Sequence, residues 1–417
     1  MIKEKFVINR KETSIGIMQS KIEDIRIKDI TRTGLRIYEN GFIGVAGAIG
    51  EYDEKKLEDE AKKALELKIP YEPSPYENNK HSIVNECNIE NSDDFIREIE
   101  EVISIIGNKH KKFIFSDKVK LIEIEASLTN DRGLDLYQKD KRIEFTLIVK
   151  DKGSKNIIDT FIPYSTRNYN RENFMSFLDS ILLPYHNLVE LPKKEMLPVI
   201  MYNPDFYGMT YMKFINDLNG LSVANEVSIF SGKLGEKLFS EDLTLWLTSR
   251  SEDNYELFFD AEGSFKEDYR YALIENGVIK APYTDKRTSL KYNFPLTASS
   301  TGEYDEVPSL EISETIFNKL KLKQGEKTLK ELLNGEMGVF IFSASGGDFT
   351  PDGVFATPVQ QAYLFDGEKF IGRLPEIQIS SDLYSMFGKD FRGVSKDTLN
   401  EDVNLSYTVI DMKVEKL

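Results

Sequence analysis

Leu257 to Ser289 reads L-F-F-D-A-E-G-S-F-K-E-D-Y-R-Y-A-L-I-E-N-G-V-I-K-A-P-Y-T-D-K-R-T-S. Near its centre Asn276-Gly277 stands between the apolar runs Ala272-Leu273-Ile274 and Val278-Ile279. Asn-Gly accepts the positive φ values of a two-residue turn, so a β-hairpin is predicted here. Upstream, Asp260-Ala261-Glu262-Gly263 sets two carboxylates beside a flexible glycine, just after Leu257-Phe258-Phe259. Short apolar strands joined by such turns make antiparallel sheet, and the flanking chain is written the same way.

On the N-terminal side of this stretch, Pro198-Val199-Ile200-Met201 predicts a strand, with Asn203 as a helix N-cap and Pro204 as the first helical residue. Tyr207, Tyr211, Phe214, Ile215 and Leu218 fall on one helical face, which predicts core packing, and Gly220 is expected to end the helix. Strands are expected from there to about residue 300. Two helical pieces follow between 311 and 333, the second running from Thr328 to Leu333 and stopping at Asn334-Gly335. The remainder is strand-like, punctuated by Asp352-Gly353 and Asp366-Gly367.

Farther back, residues 5–48 predict a strand meander with Asn40-Gly41 as a second hairpin turn. Asp53 caps a helix carrying Leu57, Ala61, Ala64 and Leu65 on one face and closed by Pro70, and residues 70–90 read as loop. A second helix is expected from Asn91 to Ile106, with Gly107 at its C-terminal end. Strands are expected at 112–115, 120–125 and 142–149, with a turn at Ser127 to Gly133, and a helix from Arg171 to Leu183 stops at Pro184. The connector 187–197, with Pro192 inside it, is expected to separate an N-terminal α+β domain (residues 1–190) from a β-rich C-terminal domain (residues 191–417). The fold class is α+β, mostly antiparallel sheets with flanking helices.

Composition bounds the function. The 417 residues carry a formal net charge of -16, a surface that repels phosphate backbones, so no direct nucleic-acid partner is expected. No apolar run approaches the ~18 residues needed to span a bilayer, and an acidic field disfavours anionic lipid, so no membrane partner is expected either. Cys87 is the single cysteine, and Met1-Ile2-Lys3-Glu4-Lys5 lacks an apolar signal core, which together predict a cytoplasmic protein.

Only three histidines occur, His81, His110 and His186. His81 and Cys87, with Glu86 between them, make a weak metal pattern, and the expectation is structural or solvent-facing side chains. Beyond His186 there is neither histidine nor cysteine. Zinc relies on imidazole and thiolate, so the C-terminal half offers it only oxygen ligands, and a Ser-His-Asp or Cys-His device is excluded there. Asp260 and Glu262 are the remaining candidates. If extended they share a face, as an acid–base pair requires; the alternative is a turn in which they bond local amides, with Lys266, Arg270 and Arg287 at hand as partners. Gly41 to Gly47 and Gly346-Gly347 match no phosphate-cradling motif, and Gly346-Gly347 is expected to permit a turn or a close backbone approach.

Several segments together resemble the TldD/PmbA family, cytosolic metalloprotease subunits also called modulators of DNA gyrase. They are Leu257 to Ser289, Thr33-Gly34-Leu35-Arg36-Ile37-Tyr38-Glu39-Asn40-Gly41-Phe42-Ile43-Gly44, Ser127 to Gly133, Gly347-Asp348-Phe349-Thr350 and Tyr363 to Glu368. The family's TldD kind carries H-E-x-x-x-H on a C-terminal-domain helix, with a later cysteine, as the catalytic zinc site; its PmbA (TldE) kind lacks these ligands. The matching helix here, Gly208 to Leu218, has no histidine, so the chain resembles the PmbA kind. The resemblance implies a noncatalytic subunit with zinc only in a TldD-type partner, pairing with that partner or with itself around a cavity where unfolded peptide is cut. Two other readings stand beside it: a homodimeric peptide-binding or scaffold protein without proteolytic activity, and a self-contained hydrolase using Asp260 and Glu262. No metal, cofactor or catalytic residue is otherwise assigned to this chain.

Overall fold

The computed structural model describes residues 1–201, 204–397 and 406–417, with residues 204–207 described by their backbone alone. In the N-terminal part the chain runs β1 (Ile2–Met18), β2 (Lys21–Glu39), β3 (Phe42–Ile49), α1 (Glu54–Leu65), β4 (Ile69–Pro70), β5 (Lys80–Asn85), α2 (Ser92–Lys109), β6 (Phe113–Asn130), β7 (Asp135–Asp151), β8 (Thr160–Thr166) and α3 (Arg171–Leu182). These strands form one sheet in the order β4-β3-β2-β1-β6-β7-β5, with β8 added to β7, and every pairing is antiparallel except β5 beside β7. Asn40 (φ 52°) and Gly41 (φ 79°) make the predicted turn between β2 and β3. Asp53 accepts a hydrogen bond from the Lys56 amide, and Asn91 from the Asp94 amide, so both helices start at capping side chains.

Four expectations for this half need correction. Residues 80–85 are strand, because β5 gains a parallel partner in β7 that local composition does not announce. Helix α2 runs through Gly107 to Lys109; Gly107 faces Ser20 on the sheet, where an added Cβ would lie 3.4 Å from the Ser20 Cβ. The pieces 112–115 and 120–125 are parts of one long strand, β6, and 142–149 lies inside the longer β7.

The C-terminal part contains β9 (Met196–Met201), α4 (Pro204–Asp217), α5 (Gly220–Ala224), β10 (Leu245–Thr248), β11 (Arg270–Glu275), β12 (Val278–Ile279), α6 (Lys286–Tyr292), α7 (Glu314–Lys319), β13 (Leu320–Leu322) and α8 (Leu329–Leu333). It continues with β14 (Gly338–Ala344), β15 (Asp348–Phe349), β16 (Val354–Phe365), β17 (Phe370–Arg373), β18 (Ile377–Asp382), α9 (Leu383–Phe387), β19 (Phe391–Val394) and β20 (Thr408–Lys416). Neighbours β14-β9-β20-β18-β16 close on themselves through β14–β16 pairing, which makes a five-membered ring of strands; a small separate sheet runs β12-β11-β10-β13. Asn276 (φ 49°) and Gly277 (φ 77°) form the predicted hairpin between β11 and β12. The N-cap reading of Asn203 lies outside the described residues.

Here too the structure departs from expectation. Gly220 does not end α4: it opens α5, whose amides at Leu221 and Ser222 bond the Asn219 side chain, and its bare Cα sits against the Tyr283 carbonyl, 2.9 Å from where a Cβ would lie. Residues 219–300, expected to be mostly strand, are largely turns with three short strands, held by side-chain-to-backbone bonds. Asp285 caps α6 inside the stretch expected to be strand, and α9 interrupts the final strand run.

The ring strands are apolar on both faces, which is why β9 and β14 read as unbroken hydrophobic runs. Val199, Met201, Val339, Ile341, Ile410 and Met412 pack with Phe214, Leu218 and Leu245, whereas Ile200, Phe340, Phe342, Tyr363 and Val409 pack with Phe115, Phe145, Phe174 and Ile181 from the first sheet and α3. The latter cluster crosses from residues before 190 to residues after it, so the two sheets share buried apolar surface. Among the described residues, no helix is long and apolar enough to cross a membrane.

Candidate functional site

Asp260 and Glu262 sit in a turn rather than an extended strand: the Gly263 amide bonds the Asp260 carbonyl at 2.9 Å, and Gly263 takes φ 73° against Leu128, Leu134 and Leu136 of the first sheet. Asp260 is 5% exposed, and its carboxylate accepts three backbone N–H bonds, from Glu262 (2.9 Å), Ser264 (2.8 Å) and Ser300 (3.0 Å). Glu262 is 2% exposed; one oxygen accepts the Tyr71 hydroxyl in a short bond and the other accepts the Lys286 amide at 2.9 Å. Lys286 turns its ammonium back to the Glu262 carbonyl (3.3 Å) and the Ser74 carbonyl (3.2 Å), 3.7 Å from the centre of the Tyr76 ring.

The first sheet reaches into the same place. Arg36, fully buried on β2, donates to the Ala261 carbonyl and, at 3.4 Å, to Glu4 on β1; Tyr38 also donates to Glu4, at 2.8 Å. The acidic turn is thus tied to β1, β2, the 71–76 segment and the start of α6. None of Lys266, Arg270 and Arg287, the partners at hand in the sequence, pairs with either carboxylate: Lys266 bonds Asp268, Arg270 bonds Asp253, and Arg287 lies 3.8 Å from Asp285. The true partners come from more than 180 residues away or from a backbone amide. No spacing signal points to Tyr71 or Arg36, and Arg36 sits in an alternation that places it on a solvent face.

Electrostatics follow from burial. Desolvation, then the neighbouring charge of Asp260, pushes the Glu262 carboxyl up to about 7, while Tyr71 and the Lys286 amide pull the other way. Burial also raises Asp260, opposed by the amides of Ser264 and Ser300 and by the Lys319 and Lys286 cations. With three amide donors fixed on Asp260, a proton taken up by the pair resides on Glu262. Burial lowers Lys286, and Glu262, Asp260 and Glu4 resist that shift. Chemically this is a buried clamp that can hold one proton, its two carboxylates engaged by backbone amides and by the Tyr71 hydroxyl.

The metal-type residues are dispersed. His81 Nε2 lies 2.5 Å from the Tyr269 hydroxyl with its ring stacked on Phe265; His110 pairs with Asp179 at 2.8 Å and His186 with Asp151 at 3.2 Å; Cys87 is buried, its thiol raised by that burial. Among the described residues, no group of three His, Cys, Asp or Glu side chains is placed to hold a metal ion. Along α4, Tyr211, Phe214, Ile215 and Leu218 are buried as predicted, with Phe214 ringed by Phe239 and Phe387; the side chain of Tyr207 lies outside the described residues. The one carboxylate of that helix after residue 207, Asp217, is engaged by Lys213 at 3.0 Å and by the Ile229 amide at 3.0 Å. Zinc finds no fit in this donor set.

Comparison with known proteins places this architecture. The model of the PmbA/TldA metallopeptidase C-terminal domain matches residues 194–416. A metalloprotease of Methanocaldococcus jannaschii is 23% identical, over 94% of this chain and 88% of the relative, and a zinc metalloprotease TldD homolog of Saccharolobus solfataricus is 26% identical over 54% of this chain and 52% of that protein. Among solved structures, TldE from Thermococcus kodakarensis superposes with a TM-score of 0.78 at 19% identity, covering 100% of this chain and 95% of that one.

Proposed function

The chain belongs to the PmbA/TldD metallopeptidase family, and from that premise we propose that it is the noncatalytic subunit of a two-chain zinc peptidase acting on unfolded peptide. One observation carries this reading: from residue 187 to residue 417 the sequence contains no histidine and no cysteine. The helix that would present H-E-x-x-x-H instead offers Met209, Thr210, Lys213 and an already paired Asp217. Hydrolysis therefore belongs to a TldD-type companion, and this chain supplies wall and support. Asp260 and Glu262 serve that support: their bonds brace the C-terminal turns against the first sheet, and a substrate-facing acid or base needs an accessible oxygen that neither one offers. Domains meeting near residues 187–197 belong to the same reading.

The experiment is reconstitution. Mixing the purified chain with a TldD-type chain bearing H-E-x-x-x-H is expected to give a stable complex that cuts unfolded casein, while this chain alone carries no stoichiometric zinc and cuts nothing. Chelator-sensitive cleavage by the pure chain overturns the proposal.

A further inference from the structure

Net charge is an average, and one corner of the molecule departs from it. The full chain carries -16, yet the segments 109–112 and 150–159 together hold six lysines against two aspartates. The fold brings them side by side where β6 begins and β7 ends. The Lys152 amide bonds the Lys112 carbonyl at 2.9 Å, and the Lys152 ammonium bonds the Lys111 carbonyl at 2.7 Å. The stretch 183–188 after α3 closes the same corner, through Tyr185 on Asp159 (3.1 Å) and His186 on Asp151 (3.2 Å).

Anions and cations divide here between inside and outside. The Asp159 carboxylate is fully buried, accepting the Asp151 amide at 2.8 Å with Lys150 at 3.6 Å, and Asp179 of α3 takes Lys109 and His110. Lys111, Lys112, Lys152 and Lys155 are exposed. Beside them stand aliphatic side chains that face water: Ile157 is 91% exposed in the β7–β8 connection, with Leu183 at 70% and Leu188 at 66%. Singly, such exposure is ordinary. Three together among lysines match a surface that offers negative charge outside and hydrocarbon beneath.

The chemistry favours lipid over protein. The exposed cations of the two segments are lysines and none is arginine, whereas protein interfaces deplete lysine and enrich arginine and aromatic rings. Protruding aliphatic side chains also need a partner that yields around them, as a headgroup layer does. The acidic remainder of the surface does not forbid this contact, because at physiological ionic strength charge beyond about 8 Å is screened while the contacting lysines are not. The expectation of no membrane partner follows from the whole-chain charge, which this corner does not share.

We propose that this corner docks the chain on a bilayer carrying anionic phospholipid, with the four exposed lysines on headgroups and Ile157, Leu183 and Leu188 at the acyl boundary. The contact is independent of the noncatalytic-subunit reading, since it uses neither α4 nor a companion chain.

Cosedimentation of the purified full chain with vesicles tests it, comparing phosphatidylcholine mixed with phosphatidylglycerol against phosphatidylcholine alone. Binding is expected to the mixed vesicles only, and to weaken as salt rises. Lys152→Glu with Lys155→Glu should weaken it ~20-fold or more, at about fivefold per lost lysine contact, while the matched reversal Lys55→Glu with Lys63→Glu on α1 leaves it unchanged. Ile157→Gln with Leu183→Gln should weaken it ~10-fold with the salt dependence kept, because only the apolar contribution is removed. All of these side chains are exposed, so the urea midpoints should stay at the wild-type value. Absence of binding to the mixed vesicles, an equal loss from the α1 reversal, or indifference to either pair of corner substitutions overturns the proposal. Capture of the chain by soluble poly-glutamate in place of vesicles overturns it as well, since the corner would then be a site for acidic protein.

Discussion

Arg26 and Arg36 lie on one strand ten positions apart, each between aliphatic neighbours, Ile25 and Ile27 in one case and Leu35 and Ile37 in the other. Arg26 pairs with Asp24, at 2.7 Å, with a side chain 66% exposed. Arg36 is enclosed, bonded to Glu4 and the Ala261 carbonyl, with Phe6 5.7 Å beneath it. An alternating strand therefore does not say which end of it will be covered. That is decided by loops made far later in the chain, at Ala261 for Arg36 and, for Gly34 and Gly47, at Tyr304 and Asp305, which approach so closely that a Cβ would collide.

Substitutions set the two ends of β2 against each other. Arg36→Ala should show the largest effect, a loss of about 3–5 kcal/mol in urea unfolding, because Glu4 is then left as an uncompensated buried charge; a loss under 1 kcal/mol would show the two arginines to be equivalent. Asp260→Ala should follow with about 3 kcal/mol, since three buried amides lose their acceptor together. A pH series sharpens the picture. Glu262 is raised from 4.5 to about 7, so between those values the folded chain keeps a proton that the unfolded chain releases. Stability should accordingly fall by about 3 kcal/mol as pH rises through that window and flatten above it. In Glu262→Gln the slope should vanish, as read from urea midpoints at several pH values. Arg26→Ala should do least, shifting stability by less than about 0.5 kcal/mol.

Much of the fold was legible in the residues themselves. Asn40-Gly41 and Asn276-Gly277 take the positive φ values that their side chains tolerate, and Asp53, Asn91 and Thr328 cap the helices they precede. These are local interactions, decided within four or five residues. β5 was not legible: Lys80 to Asn85 is strand only because Asp135 to Asp140 lies alongside it. The turns between 219 and 300 escaped for a related reason, since Asp217, Asn219, Asn254 and Asp260 satisfy backbone amides that strands would otherwise satisfy. At the site, Asp beside Gly announced a turn, and the turn is there; Tyr71, Lys286 and Arg36 carried no such signal, because their partners are tertiary.

The tie between Arg36 and the Ala261 carbonyl spans 225 positions. On a translating ribosome the arginine is therefore made long before the oxygen that will receive it, and the first sheet must wait with a cation facing what will become its interior. A nascent chain arrested before Ala261 carries that cation still hydrated, and only further elongation can dry it. Completion of this seam is a late event of synthesis, and proteins that shield emerging chains meet this one with its floor open.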